Sequence, residues 1–134
     1  MYLQLLKENE KKFFLSLANA VSLLDGILGD EEQQMLDSYC TEMGVSNRLL
    51  QKIIPLDNAI NSLVNETSLL TKKIIIFELV GLAMSDGSYD KVEKDFIISL
   101  IHKFGLTNDY LSKCQTYISD YISLQSKINT LVVG

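Results

Sequence analysis

The sequence predicts an all-α fold: a single-domain bundle of about seven helices, built from two pseudo-twofold-related helix–turn–helix repeats. Apolar residues make up 47% of the 134 residues, enough for one core in a domain of common size. Pro55 is the only proline, so the main helix breaker is nearly absent. Apolar residues also recur at the i, i+3/i+4, i+7 spacing of a helix face along nearly the whole chain. We therefore expect residues 1–134 to form one domain.

The first half of the chain is predicted to contain helices at about 13–24, 30–43, 47–54 and 56–65. Gly26 follows the first helix and Gly44 the second, and glycine readily adopts the left-handed conformation found just past a helix end. Pro55 ends the short third helix, because the residue before a proline disfavours helical geometry.

The second half is predicted to contain helices at about 69–85, 91–104, 108–113 and 115–131. The first of these is apolar on nearly every side, which is typical of a helix at the centre of a core. Gly87 and Gly105 follow the first and second of these helices, as expected for C-terminal caps.

The middle of the chain contains an internal repeat. Residues 25–52 align with residues 86–113 at a constant offset of 61 without a gap, and eight of the 28 aligned positions are identical. The identical pairs are Asp25/Asp86, Gly26/Gly87, Glu32/Glu93, Ser38/Ser99, Gly44/Gly105, Asn47/Asn108, Leu50/Leu111 and Lys52/Lys113. We therefore predict a duplicated unit, with repeat 1 at about 13–54 and repeat 2 at about 69–115. Since each copy has one apolar face to bury, the copies are expected to pack about a pseudo-twofold axis.

The duplicated motif Asp-Gly-x5-Glu supplies candidate ligands for a divalent cation, Ca2+ or Mg2+. Carboxylate oxygens are the ligands that these hard cations prefer. If the axis brings the two turns together, a metal site would form from acids of both copies: Asp25, Glu32, Asp86, Asp90 and Glu93.

A calcium-binding EF-hand loop is excluded, although the glycine-to-glutamate spacing equals that of such a loop. Its first and third ligand positions would fall on Val21 and Leu23 in one copy, and on Leu82 and Met84 in the other. None of these residues has a side-chain oxygen.

The same acids also fit an architectural role. Residues 90–93 match a capping box, in which Asp90 and Glu93 satisfy each other's backbone N–H groups at a helix start. In the first copy Gly29 takes the place of the aspartate, Glu32 keeps the glutamate, and glycine is a tolerated N-cap. The aspartates of the Asp-Gly pairs would then only end one helix and turn the chain, so the motif allows both a cation site and a set of caps.

Charge and composition argue against several other functions. A net charge of −5 repels phosphate backbones, so no nucleic-acid partner is expected. His102 is the only histidine and is expected on a helix surface, whereas Cys40 and Cys114 fall on apolar helix faces. No nucleophile–base pair and no Cys/His metal cluster is recognisable, so we do not expect an enzyme. No signal peptide or transmembrane segment is visible, which predicts a cytoplasmic protein.

The sequence of residues 82–93 is Leu-Ala-Met-Ser-Asp-Gly-Ser-Tyr-Asp-Lys-Val-Glu, a helix end followed by a turn, a glutamate and a new helix. This segment resembles the signature of the TerB-like family, named for bacterial tellurite-resistance proteins. Residues 21–26, together with Glu32, look like a degenerate first copy in which Gly29 replaces the second acid and Asp30 follows it. The resemblance covers about residues 13–113.

The resemblance implies an all-α, pseudo-twofold domain of about seven helices with a cytoplasmic role in stress-linked or membrane-associated complexes. It also implies that the acidic residues bind cations, or that the domain acts as an adaptor, since related domains occur attached to J-domain co-chaperones.

The favoured hypothesis is a non-enzymatic interaction or scaffold domain of the TerB-like type, with protein partners, a link to stress response and a response to cations. The alternative is a small-ligand regulatory domain with a pocket between the repeats. A carboxylate-based enzyme is the third hypothesis. The apolar residues 131–133 can pack on the core or on another subunit, so a homodimer is one arrangement that the sequence allows.

Overall fold

The structure is a computed structural model that describes residues 1–24, 26, 28–85, 87 and 89–134. The described residues form six α-helices and two 3-10 helices, with no strand, which confirms the predicted all-α class. The α-helices are α1 (Glu8–Ser22), α2 (Asp30–Met43), α3 (Leu56–Glu66), α4 (Leu69–Met84), α5 (Lys91–Lys103) and α6 (Asn108–Val133). The 3-10 helices cover Leu3–Leu5 and Asn47–Gln51.

The division of the C-terminal segment into two helices, 108–113 and 115–131, was wrong. Residues 108–133 form the single helix α6, which is 26 residues long. No glycine or proline interrupts this segment, so nothing removes a donor from the backbone hydrogen-bond ladder. The helix predicted at 47–54 is instead a five-residue 3-10 helix, which ends at Gln51, before Pro55.

Helix α1 begins five residues before its predicted start, and the 3-10 helix Leu3–Leu5 was not predicted. The early start is explained by a local cap, because the backbone N–H of Lys7 donates to Oε1 of Glu10 at 2.9 Å. This bond satisfies an amide that would otherwise be left without a partner at the helix start.

The core is centred on α1 and α4, which pack against each other. Helix α1 also packs on α3, and α4 packs on α5 and α6. Ile75, Ile76, Leu79 and Val80 of α4 are all fully buried, which confirms the central position predicted for this helix.

Three pairs of helices begin at positions that differ by the offset of the sequence repeat. The starts of α1 and α4, of α2 and α5, and of the 3-10 helix Asn47–Gln51 and α6 are each 61 residues apart. The hydroxyl of Thr71 contacts both carboxylate oxygens of Glu10 at 3.4 Å, and these two residues are also 61 positions apart. Gly44 (φ 69°) and Gly105 (φ 71°), an identical pair in the alignment, both take the left-handed conformation after their helices.

Two titratable groups of α2 are buried beside the core. The ring of Tyr39 meets Phe14 edge-on at 5.3 Å, and its hydroxyl donates to the backbone oxygen of Glu78 at 3.5 Å. Burial raises the pKa of the Tyr39 phenol well above its ordinary value, and the negative charges of Glu78 and Glu42 raise it further. Burial also raises the pKa of the Cys40 thiol. Both groups are therefore held in their protonated, neutral forms.

We expect the free energy of unfolding to fall as the pH rises above about 9. The unfolded chain releases the Cys40 and Tyr39 protons near their ordinary pKa values of 9.0 and 10.0, whereas the folded chain retains them. The native state thus binds more protons in this range, and stability that is complete below pH 9 is lost as the pH increases. Thermal melts between pH 7 and pH 11 would measure this loss. The Tyr39→Phe variant should show a shallower decline, and a melting temperature independent of pH over this range would contradict the prediction.

Candidate functional site

The predicted cation site is only partly covered by the structure. Asp25 and Asp86 lie outside the described residues, so the five-acid site remains a prediction. The other three acids, Glu32, Asp90 and Glu93, lie in the turns that begin α2 and α5.

Asp90 and Glu93 form the predicted capping box. The backbone N–H of Glu93 donates to Oδ1 of Asp90 at 2.9 Å, and the backbone N–H of Asp90 donates to Oε1 of Glu93 at 3.2 Å. Each carboxylate thus satisfies an amide at the start of α5. The architectural role expected of these two acids is confirmed.

Glu32 occupies a similar place at the start of α2. A methyl group built on Gly29 would come within 2.5 Å of Oε2 of Glu32, so this carboxylate lies directly over the N-cap glycine. Gly29 (φ −79°, ψ 169°) and Asp90 (φ −87°, ψ 178°) have nearly the same backbone conformation. The two helix starts therefore share one geometry, although only the second has an acidic N-cap.

Among the described residues, no three His, Cys, Asp or Glu side chains come together in a way that could hold a metal ion. A cation site at these turns would therefore depend on Asp25 and Asp86. His102 is exposed, and Cys40 and Cys114 are buried free thiols, as the sequence predicted.

Sequence reasoning missed a different pair of acids, Glu42 of α2 and Glu78 of α4. Oε1 of Glu78 accepts the backbone N–H of Tyr2 at 2.9 Å, and Oε2 of Glu42 accepts that of Leu3 at 3.0 Å. The Met1 ammonium lies 2.9 Å from Glu78 and 3.0 Å from Glu42. The two carboxylates thus fix the N-terminal segment across two helices. The available signal was Glu78, the only charge in the apolar run from Ile74 to Met84.

A cavity of about 430 Å³ lies between α2, α4 and α6. It is the space closest to the inter-repeat pocket that the small-ligand hypothesis expects, and Tyr39, Glu42 and Glu78 are among its lining residues. However, both carboxylates are already bound to the chain's own N-terminal residues. The two acidic groups of this cavity are therefore already engaged within the chain.

Helix α6 leaves its C-terminal part exposed, although Tyr121, Ile122 and Gln125 still line the cavity beside α2 and α4. Ile118 is its last buried residue, and every residue from 119 to 134 is exposed. Large apolar side chains nevertheless continue along one face, at alternating spacings of four and three residues. We call this row the α6 stripe: Tyr117, Tyr121, Leu124, Ile128 and Leu131, which are 50–83% exposed.

A groove of about 570 Å³ lies beside α6 where it packs on α4. We call it the α4–α6 groove; its apolar lining includes Leu69, Phe77, Leu106, Tyr110, Cys114 and Tyr117. The Tyr110 hydroxyl donates to the backbone oxygen of Lys73 at 2.6 Å and fixes one wall. Cys114 follows Tyr110 by four residues and Tyr117 follows Cys114 by three, which continues the spacing of the α6 stripe. The groove and the α6 stripe therefore lie on one face of α6.

None of the helices in the described ranges combines the length and the apolar character needed to span a bilayer. Comparisons with protein-family models, with curated proteins and with solved structures find no match to this chain.

Proposed function

We propose that the chain is a non-enzymatic protein-interaction domain of the TerB-like type, built from two helix–turn–helix repeats about a pseudo-twofold axis, and acting in stress-linked complexes in the cytoplasm. The observation that carries the interaction function is the α6 stripe. It places large apolar side chains on the part of α6 that the core does not cover.

The helix starts support the duplication, since three pairs of them differ by 61 residues. The contact between Glu10 and Thr71 supports the axis. Two residues at equivalent positions of a repeat can touch each other directly only near the symmetry axis, and these two also join the central helices α1 and α4. The proposed repeats comprise α1 to the Asn47–Gln51 helix in one half, and α4 to the start of α6 in the other.

The exposed part of α6 has little packing to support it. Most helical stability in proteins comes from packing an apolar face. Residues 119–133 carry such a face along the α6 stripe, but none of these residues is buried. Contiguous exposed apolar surface on a protein marks an interaction site. A protein partner that covers the α6 stripe would supply the missing support.

Site-specific photo-crosslinking in cells tests this function. A photoreactive residue at position 124 lies on the α6 stripe, and one at position 126 lies on the opposite face, because two residues turn a helix by about 200°. We expect discrete protein adducts from position 124 and none from position 126. Equal labelling from both positions, or no adduct from either, would contradict an interaction role for this face. An adduct of twice the chain mass would indicate self-association, and other masses a different protein.

A response to Ca2+ or Mg2+ at the acidic turns is a second part of the proposal. Its support is the shared geometry of the starts of α2 and α5, which gives Glu32 and Glu93 equivalent positions at the two helix starts that follow the Asp-Gly pairs in the sequence. Hard cations prefer such oxygen ligands.

We expect millimolar Ca2+ or Mg2+ to raise the melting temperature of the metal-stripped protein, because a ligand that binds only the folded state stabilises it. At 100 times the Kd the gain is about 2.7 kcal/mol. The Asp25→Asn/Asp86→Asn variant should lose this rise. If no cation raises the melting temperature and the variant is itself destabilised, the acids are caps and turns only.

A further inference from the structure

We propose that the partner of the α6 stripe is a second copy of this chain, whose α6 lies antiparallel to the first so that its C-terminal residues fill the α4–α6 groove. This inference rests on the proposed interaction function and names the occupant of the same surface.

The spacing of apolar residues along α6 matches a two-stranded coiled-coil seam. The row consists of Tyr110, Cys114, Tyr117, Tyr121, Leu124, Ile128 and Leu131, with spacings that alternate between four and three. This is the a/d pattern of a heptad repeat. The first three residues line the α4–α6 groove, and the last four are exposed along the rest of the helix. A second helix can therefore follow the seam from the exposed half of α6 into the groove.

Antiparallel pairing matches the two halves of this seam to each other. With a twofold axis between residues 122 and 123, Tyr121 faces the partner's Leu124 and Tyr117 faces the partner's Ile128. Leu131, which is 83% exposed, then faces the partner's Cys114 inside the groove. The contact is isologous and closes on itself, as expected of a stable dimer.

The chain cannot fill this groove with its own C-terminal residues. Helix α6 is continuous from Asn108 to Val133. At a rise of about 1.5 Å per residue, Leu131 lies about 25 Å along the axis from Cys114. Within one molecule the C-terminal residues of α6 are therefore too far from the α4–α6 groove to fill it. A second molecule can place its own C-terminal residues there.

The charges beside the seam select the antiparallel direction. Asp120 and Lys127 are the only charged residues between 118 and 134, and each directly precedes a seam residue. In the antiparallel pair Asp120 lies beside the partner's Lys127, and the twofold axis repeats this contact. In a parallel pair, residue 120 would lie beside Gln125 and residue 127 beside Val132, with no opposite charge to meet. Among the described residues neither charge has an ion-pair partner within the chain.

Sedimentation equilibrium of the full chain, with the Asp120→Lys and Lys127→Asp variants alone and mixed, tests this arrangement. We expect the unaltered protein to form a dimer of twice the 15.1 kDa chain mass. Either variant turns both attractive contacts into repulsive ones and should weaken the dimer by roughly ten-fold or more. An equimolar mixture should recover dimers that contain one chain of each kind, because both contacts again join opposite charges. Glu66→Lys, an equal charge change on α3, should leave association unchanged.

A protein that stays monomeric at millimolar concentration would overturn the inference. So would single variants that dimerise as well as the unaltered chain, or a mixture no tighter than its parts. If the chain is monomeric but position 124 crosslinks to a different protein, the interaction function stands and the self-association fails. If neither occurs, both fail.

Discussion

Replacing Glu78 with alanine is expected to lower the free energy of unfolding by about 3 kcal/mol, the cost of losing charge-assisted hydrogen bonds at a partly buried site together with the packing that they position. Glu78 is itself buried in α4, and its carboxylate holds the backbone N–H of Tyr2. That bond positions a segment whose Leu3 and Leu6 side chains are buried in the core. Losing the bond should therefore release apolar packing as well as a hydrogen bond. Urea denaturation followed by circular dichroism measures the change.

Glu78→Gln is the matched control, because it keeps an oxygen that can accept the Tyr2 N–H and loses only the charge. It should cost clearly less than the alanine variant. Limited proteolysis should also cleave residues 1–7 faster in Glu78→Ala than in the unaltered protein. If the alanine and glutamine variants are equally stable, or if the N-terminal segment remains protected in both, the carboxylate does not anchor this segment.

Replacing Thr116 with proline is expected to cost about 3 kcal/mol or more and to abolish association. A proline inside a helix removes one hydrogen bond and clashes with the preceding turn. At the repeat offset of 61, position 116 corresponds to Pro55. The change would therefore place a proline in α6 at the position where Pro55 follows the end of the Asn47–Gln51 helix. The α6 stripe would then lose its fixed direction relative to the α4–α6 groove.

Thr116→Ala controls for loss of the threonine side chain, which is exposed, and should be neutral or slightly stabilising because alanine favours helices. Circular dichroism would report the lost helix, and sedimentation the lost dimer. A proline variant that melts and associates like the unaltered protein would show that continuity of α6 across position 116 is unimportant.

Local patterns predicted much of this fold. Helical spacing predicted the all-α class, and Gly44 and Gly105 marked helix ends. The central position of α4 was predicted because residues 69–85 are apolar on nearly every side of the helix. The capping box at 90–93 was also predicted, because its two partners are three residues apart. The division of α6 failed, since residues 108–133 hold neither glycine nor proline to end a helix.

Contacts between distant residues were not predictable in this way. Glu78 binds the backbone of Tyr2 across 76 positions, and no periodicity in the sequence encodes that pairing. The exposure of the α6 stripe was also not predictable, because apolar spacing alone does not distinguish a helix face that packs on the core from one that is left exposed. Among the acids, Asp90 and Glu93 have a demonstrated capping role, whereas a cation site that includes Asp25 and Asp86 remains a prediction.

Hydrogen–deuterium exchange at several protein concentrations tests most directly whether the α6 stripe and the α4–α6 groove form one binding surface. As concentration rises, we expect protection to increase together in residues 119–133 and in the groove segments 69–77 and 106–117. Protection of α3 should not change, and Asp120→Lys should move the onset of protection to a concentration roughly ten-fold higher or more. Fast exchange of 119–133 at every concentration, or protection of 119–133 without any change in the groove segments, would contradict this interface.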